Sequence, residues 1–395
     1  MKKQYIIIPA ILIVLAIIIF RPKSKKLNIT FSSTPIEHVL RLENATLNLY
    51  IENSGSMDGY TCQGAEFKDA IKGYVSSLES EFGDVGLYYI NSDIIPISND
   101  IKQFINNLTP QSFRRAGGNT ANTDMGKLIE NVIKNTNDST VSIFVSDCIL
   151  DVSKNSSAFF TDRQIDITKA VRHFIKDRNN SIEILQLKSH FEGNYYECDG
   201  IQKLKADRPY YMWIFGKNEL LSQMNIISPI EDIKHGVQNW VSFSKTQPIS
   251  FEIKNKFGQE AKSIVSANGT YNIIVNVNFD ALLKSNELLC CPSNFSTINN
   301  SVRIESVVPK SSGKQYTHVM TISIDENTPS CMEKISYIEV NKVPTWIEAV
   351  NDETGKNIKE NITKTTGIKY LIEGVAEAYK AEQPLTSINF VIKNN

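Results

Sequence analysis

The chain has 395 residues and a formal net charge of −1 at pH 7, with 41% hydrophobic and 22% charged residues. These proportions are ordinary for a globular protein, and the length allows two domains that each bury a core. Because the chain has no excess of basic residues, its composition argues against nucleic acid as the main ligand.

An apolar run from Tyr5 to Phe20 lies near the start of the chain, and basic residues flank it on both sides. The run is shorter than the roughly 20 residues of a typical transmembrane helix, but flanking lysines can reach the membrane surface and make up the difference. No small-residue cleavage motif precedes Arg21 and no cysteine directly follows the run, which argues against a cleaved signal peptide and lipoprotein processing. We predict that residues 1–26 form an N-terminal membrane anchor or uncleaved signal sequence, crossing the membrane once through residues 5–20. Basic residues at both ends leave the orientation open; a large trailing domain favours export.

Strands and helices alternate after a polar lead-in at residues 27–44. Apolar and β-branched runs predict strands at 47–51, 85–90, 141–145, 181–187 and 210–215. Apolar residues at helical spacing predict helices at 67–82, 101–108, 128–133, 167–175 and near 220. We expect Gly83 and Pro110 to end the first two helices, and Pro96 to restrict the run at 94–97 to an edge strand. The alternation predicts an α/β domain over residues 45–230, with a mostly parallel sheet covered by helices on both faces.

A compact polar stretch, ENSGSM at residues 52–57, follows the first buried strand. The carboxylate of Glu52 and the hydroxyls of Ser54 and Ser56 recur at every second residue, so their oxygens can converge on one cation. Mg²⁺ prefers oxygen ligands, and Mn²⁺ accepts similar ones. The plain alternative is a polar turn that only ends the strand.

Two later loops carry further oxygen ligands. Thr123 precedes a predicted helix, in a loop that also contains Thr120, and Asp147 follows the strand at 141–145. Because the carboxyl ends of parallel strands meet at one edge of a sheet, we expect these side chains to lie near Glu52 in the ligand crevice. Each residue alone has an ordinary explanation, since Thr often caps a helix and Asp often forms a turn.

Together, the three loops resemble the metal-ion-dependent adhesion site of von Willebrand factor A (vWA) domains. That family carries Asp-x-Ser-x-Ser after its first central strand, a threonine before a helix and an aspartate after a later strand. The resemblance covers about residues 45–230 and implies a Rossmann-type, doubly wound vWA fold. It also implies that Mg²⁺ or Mn²⁺ is held by Glu52, Ser54, Ser56, Thr123 and Asp147. The chain departs from the family at Glu52, where the family has Asp, and at Cys148, where it usually has Gly; Thr123 matches the family spacing better than Thr120.

From about residue 245 the pattern changes to closely spaced short strands. They are predicted at 249–253, 271–279, 302–308, 318–324, 335–340 and 388–392, with a helix near 368–379. We therefore predict a β-rich, sandwich-like second domain over residues 245–395. The six cysteines contain no Cys-x-x-Cys pair and the five histidines are scattered, so the sequence indicates no zinc site.

These observations predict a membrane-anchored binding module rather than an enzyme. The resemblance implies that the metal keeps one open coordination position, which a carboxylate from a partner protein fills. Two other interpretations stay open. One is a metal-dependent enzyme, although no nucleophile–base pair is visible in the sequence. The other is a structural scaffold whose metal site has degenerated at Glu52 and Cys148.

Overall fold

The computed structural model describes residues 27–32, 40–62, 64, 66–98, 100–120, 124–150, 157–254, 256–257, 260–261, 264–265, 269–310, 315–339 and 341–394. Its helices are α1 (Glu66–Leu78), α2 (Ile101–Asn106), α3 (Pro110–Ala116), α4 (Met125–Lys134), α5 (Ser157–Ile175), α6 (Asn218–Ile227), α7 (Asn286–Leu289), α8 (Trp346–Val350) and α9 (Ile368–Tyr379). The strands up to residue 253 are β1 (Leu27–Ser32), β2 (Thr46–Glu52), β3 (Asp84–Ile90), β4 (Ile94–Pro96), β5 (Thr140–Ser146), β6 (Asn180–Glu197), β7 (Gly200–Lys217), β8 (Asn239–Phe243) and β9 (Phe251–Ile253).

The remaining strands belong to the C-terminal part of the chain. They are β10 (Lys256–Phe257), β11 (Glu260–Ala261), β12 (Ile264–Val265), β13 (Thr270–Val277), β14 (Phe295–Thr297), β15 (Val302–Pro309), β16 (His318–Asp325), β17 (Cys331–Tyr337), β18 (Asn351–Asp352), β19 (Thr365–Thr366) and β20 (Thr386–Asn394).

A seven-stranded sheet in the order β4-β3-β2-β5-β7-β6-β8 forms the centre of the α/β part. Strand β2 pairs in parallel with both β3 and β5, whereas β4, β7 and β8 are antiparallel to their neighbours. Four of the seven strands, β2, β3, β5 and β6, therefore run in one direction. The predicted α/β class and antiparallel edge strand β4 are confirmed, while the vWA fold itself stays a prediction.

Side-chain alternation along β2 shows why this strand lies in the middle of the sheet. Leu47, Leu49 and Ile51 point to one face and pack with α1, α2, α3 and α6. Tyr50 points to the other face and packs with α4, α5 and α9. A strand covered by helices on both faces must be apolar on both, which is why its sequence reads as a nearly continuous apolar run.

The hairpin of β6 and β7 differs from the prediction. The sequence indicates two short strands at 181–187 and 210–215, but both strands continue to the turn between Glu197 and Gly200 in unbroken antiparallel register. Only the first part of β6 pairs with β8, and only the last part of β7 pairs with β5. Residues 188–208 form the part of the hairpin that extends past the seven-stranded sheet, and their polar side chains lack the apolar pattern that predicts a strand.

Two further antiparallel sheets form the β-rich part. One has the order β10-β11-β1-β20-β17-β14, and the other has the order β12-β13-β16-β15, with β9 also paired to β13. Both sheets contribute to one apolar core, to which Ile29, Ile273, Ile322 and Ile388 belong. The expected β-rich region is thus present.

Two segments cross the predicted boundary between the two parts. Strand β1, which lies in the predicted lead-in, pairs along its whole length with β20. Helix α9 follows most of the short strands in sequence, but it packs on the central sheet. Thr168 of α5 donates a hydrogen bond of 3.0 Å to the backbone carbonyl of Gly374 in α9. The domain limits at 45–230 and 245–395 stay a prediction.

Pro110 begins a helix, whereas the sequence predicts that it ends one. We expected it to end a helix, but α2 already ends at Asn106 and Pro110 is the first residue of α3. Thr109 caps that helix through a reciprocal pair of hydrogen bonds with Ser112. Proline is well tolerated at a first helical position because its missing N–H would have no partner there.

Candidate metal site

The candidate site lies where β2 and β5 end, at the carboxyl edge of the central sheet. Glu52 is the last residue of β2 and is 1% exposed, and Ser146 is the last residue of β5 and is fully buried. The Ser146 hydroxyl donates a hydrogen bond of 2.5 Å to Glu52 Oε2. The two parallel strands thus bring Glu52 to the loop that contains Asp147, as the predicted crevice requires.

Two serines connect the loop after β2 to Asp147. The hydroxyl oxygens of Ser54 and Ser56 lie 3.0 Å apart, and the Ser56 side chain is hydrogen bonded to the Asp147 carboxylate. The backbone N–H of Ile149 also donates to Asp147 Oδ1 at 3.2 Å. Four of the five predicted ligands, Glu52, Ser54, Ser56 and Asp147, therefore lie at one edge of the sheet.

The environment of Asp147 shifts the pKa of its carboxyl group. It is 2% exposed, and this burial raises the pKa of the carboxyl above its ordinary value. Hydrogen bonds from Ser56 and the Ile149 N–H, and the positive charge of Arg208, act in the opposite direction on the same pKa. A buried carboxylate is costly unless opposite charge or hydrogen bonds compensate it, and Arg208 and these two donors supply part of that compensation for Asp147.

The backbone at Cys148 has a conformation that is unusual for a residue with a side chain. Cys148 has a φ of 54°, in the left-handed region that glycine adopts without steric cost. Its side chain is fully buried, as expected for a small core residue, and its backbone N–H donates to the Ser146 hydroxyl at 2.8 Å. The loop therefore keeps the backbone conformation that a glycine would favour.

A layer of asparagines supports the loop after β2, and the sequence reading missed it. The buried Asn53 side chain donates to the Phe113 carbonyl at 3.0 Å and accepts from Asn91 at 3.0 Å. Asn91 also donates to the Gly117 carbonyl at 2.9 Å. Asn91 directly follows β3, so the rule that polar residues gather at the carboxyl ends of strands could have found it.

The threonine loop reaches the site through its backbone. The Gly55 N–H donates to the Thr120 carbonyl at 3.1 Å, which places this loop against residues 54–56. Thr123 lies outside the described residues, so its role as a ligand stays a prediction. The residue that caps helix α4 is Asp124, whose side chain accepts from the Lys127 N–H.

The extension of the β6–β7 hairpin forms one wall of the site. A Cβ added at Gly55 would lie 2.9 Å from the Tyr196 hydroxyl, and one added at Gly59 would overlap the Phe191 ring. The Tyr60 hydroxyl donates to the Pro209 carbonyl at 2.5 Å, at the base of the hairpin. The hairpin therefore packs directly on the loop after β2, and no sequence pattern in residues 188–209 predicts this contact.

Two predictions about membranes and metals need correction. Within the described parts of the chain, no helix combines the length and the apolar character that crossing a membrane requires. This contradicts the predicted single-pass membrane localisation; residues 5–20, on which it rests, lie outside the described residues.

The described parts of the chain contain no group of three or more His, Cys, Asp or Glu side chains placed to hold a metal ion, which contradicts the general expectation of a metal-binding group. The predicted ligand set is of another kind, because hydroxyls supply most of its oxygens, and it stays a prediction.

Comparison with known proteins identifies a weak similarity to a solved structure. No family model matches the chain, and no curated protein matches it. Among solved structures, the chain is weakly similar to an aerotolerance-related membrane protein from Bacteroides fragilis NCTC 9343 with multiple mutations to serines, at 15% identity and a TM-score of 0.21. The alignment covers 34% of this chain and 63% of that chain, so it spans less than two thirds of the other protein. A likeness at this level identifies no family, and the vWA resemblance stays a prediction.

Proposed function

We propose that the chain is a binding module in which Glu52, Ser54, Ser56 and Asp147, together with Thr123, hold a Mg²⁺ or Mn²⁺ ion. The ion keeps one open position, and a carboxylate of a partner protein fills it. Attraction between the cation and that carboxylate supplies specificity and part of the affinity. The proposal needs no catalytic group of the chain.

The observation that carries the proposal is the continuous set of contacts from Ser54 through Ser56 to Asp147. It joins two loops that are more than 90 residues apart in sequence, and it brings hydroxyl and carboxylate oxygens together. This donor set fits Mg²⁺, which prefers hard oxygen ligands and keeps several of its waters. Two acidic side chains, Glu52 and Asp147, are also buried at this sheet edge, and a bound cation would stabilise their ionised forms.

One observation favours a second candidate, a scaffold without a working metal site. Ser146 already satisfies one oxygen of Glu52, and the two serines and Asp147 hydrogen bond to one another. A polar cluster that satisfies itself can hold two loops together without a cation. The two candidates differ in whether added cation stabilises the chain.

Calorimetric titration of the full chain with Mg²⁺ and with Mn²⁺ tests the proposal. We expect the wild type to bind one ion and Asp147→Asn to bind it at least about tenfold more weakly, a difference of about 1.4 kcal/mol, because a formal charge facing the cation is lost. Glu333→Gln is the matched control. Glu333 is also a buried carboxylate, and it accepts backbone hydrogen bonds from Ile298 and Asn299 in the β-rich part.

The control variant should bind the ion like the wild type. Equal affinity in the wild type and Asp147→Asn would refute the metal site. No binding by the wild type, with an unchanged unfolding midpoint when Mg²⁺ is added, would favour the scaffold. For the partner, capture of a protein by the Mg²⁺-loaded chain that is lost with EDTA and in Asp147→Asn would support the second half of the proposal.

A further inference from the structure

Arg208 is a buried charge in β7, at the base of the hairpin that walls the candidate site. It is 1% exposed, and its Nη1 donates to the backbone carbonyls of Ile362 at 2.7 Å and Lys364 at 2.9 Å. Its guanidinium lies 4.7 Å from the centre of the Tyr195 ring. Among the described residues no carboxylate forms an ion pair with it, although a buried charge is costly without one.

Three of the five N–H donors of Arg208 have no hydrogen-bond partner within the described structure. Its Nε and Nη2 atoms are buried and have no hydrogen-bond partner within the described structure. These two nitrogens form the edge with which arginine binds a carboxylate through two parallel hydrogen bonds. The interior beside the site therefore contains a positive charge with free donors.

A short backbone stretch connects Arg208 to the loop that carries Asp147. The Lys364 carbonyl accepts from Arg208, and two residues later the Thr366 carbonyl accepts from the Leu150 N–H at 3.0 Å. The neighbouring Ile149 N–H donates to Asp147. Residues 361–366 thus contact both the arginine and the loop of the candidate ligand.

We propose that Arg208 is the internal counter-charge of Asp147 and that it opposes binding of a divalent cation at the site. The inference rests on the proposed function. A fixed guanidinium beside the site repels a divalent cation, because the low dielectric of the interior screens charges poorly. It also stabilises the ionised Asp147 while no cation is bound. A bound cation weakens the attraction between Arg208 and Asp147. Because Arg208 also donates hydrogen bonds to residues 361–366, we expect cation binding to make this stretch more mobile.

Two variants of the full chain separate the charge of Arg208 from its structural role, with Mg²⁺ alone as the probe. Arg208→Met removes the charge at similar length, and Arg208→Lys keeps it. By calorimetry we expect Arg208→Met to bind Mg²⁺ at least about tenfold more tightly than the wild type, and Arg208→Lys to stay within about threefold. A purely structural arginine would lower stability in both variants without separating their affinities.

Hydrogen exchange on the wild type provides a test that does not depend on a variant folding. Addition of Mg²⁺ should speed amide exchange in residues 361–366 at least about threefold, while strand β17 in the β-rich part stays unchanged. Equal affinities of the wild type and Arg208→Met, equal tightening in both variants, or unchanged exchange at 361–366 on Mg²⁺ binding would each overturn the inference and leave the metal site standing. If the wild type and Asp147→Asn both fail to bind Mg²⁺, the proposed function fails and this inference fails with it.

Discussion

Glu183 makes the stability of this protein depend on pH. It lies in the part of β6 that pairs with both β7 and β8, and its side chain is fully buried. Its Oε1 accepts a hydrogen bond of 2.7 Å from Asn225, whereas its Oε2 is buried with no partner within the described structure. Burial raises the pKa of Glu183 from 4.5 to about 8.

The sign of the effect follows from this raised pKa. The folded chain holds the Glu183 proton more tightly than the unfolded chain, so stability falls as the pH rises through the interval between the two pKa values. From pH 5 to pH 8 the fall due to Glu183 is about 3 kcal/mol, at 1.36 kcal/mol for each pH unit over which only the folded state stays protonated. The nearby Lys284, whose pKa burial lowers to about 8, changes this figure little below pH 8.

We expect Glu183→Gln to remove this pH dependence. The glutamine can still accept from Asn225, and it carries no charge at any pH. Urea unfolding at pH 5 and pH 8 should show that the variant loses about 3 kcal/mol less stability than the wild type over this interval. We compare the change in the free energy of unfolding between the two pH values, because burying the new amide N–H groups of the glutamine lowers stability by the same amount at both.

Glu231→Gln is the matched control for this experiment. Glu231 is exposed, and its charge is one of the smaller causes of the raised pKa of Glu183. The control should therefore keep most of the wild-type fall in stability. If Glu183→Gln loses as much stability between pH 5 and pH 8 as the wild type, then Glu183 is not kept protonated by burial and the argument is wrong.

Three further predictions concern the site and its wall. Glu52→Asp withdraws the carboxylate from its hydrogen-bond partner in β5, so Mg²⁺ binding measured by calorimetry should weaken; a clear gain would mean that Glu52 marks a degenerating site. Thr123→Ala should weaken Mg²⁺ binding more than Thr120→Ala, because Thr120 contacts Gly55 through its backbone carbonyl, which the substitution keeps; equal losses would contradict this. Gly59→Ala forces a methyl group into a buried aromatic ring of the hairpin and should cost about 1–3 kcal/mol in urea unfolding, whereas unchanged stability would show that the wall can move aside.

The sequence by itself determined the repeating units of the α/β part. Runs such as 47–51 and 141–145 are apolar on both faces, and only a strand covered by helices on both sides buries such a run. The ends of these strands follow from the polar residues Glu52 and Asp147, because a buried strand stops where the chain must satisfy polar groups. The predicted meeting of these two residues therefore needed only the rule for parallel strands.

Only the tertiary structure decided how the hairpin and the C-terminal segments complete the protein. The polar residues of 188–208 carry no strand signal of their own, since that stretch is stabilised by its antiparallel partner and by packing on the loop after β2. Arg208 reads as an ordinary surface charge next to a proline, and its burial depends on carbonyls more than 150 residues later in the chain. Helix α9 and strand β1 likewise join sheets distant in sequence. The spacing of apolar residues within a segment predicts whether it forms a helix or a strand and which of its faces is buried. Which other segment it packs against depends on contacts between residues that are far apart in the sequence.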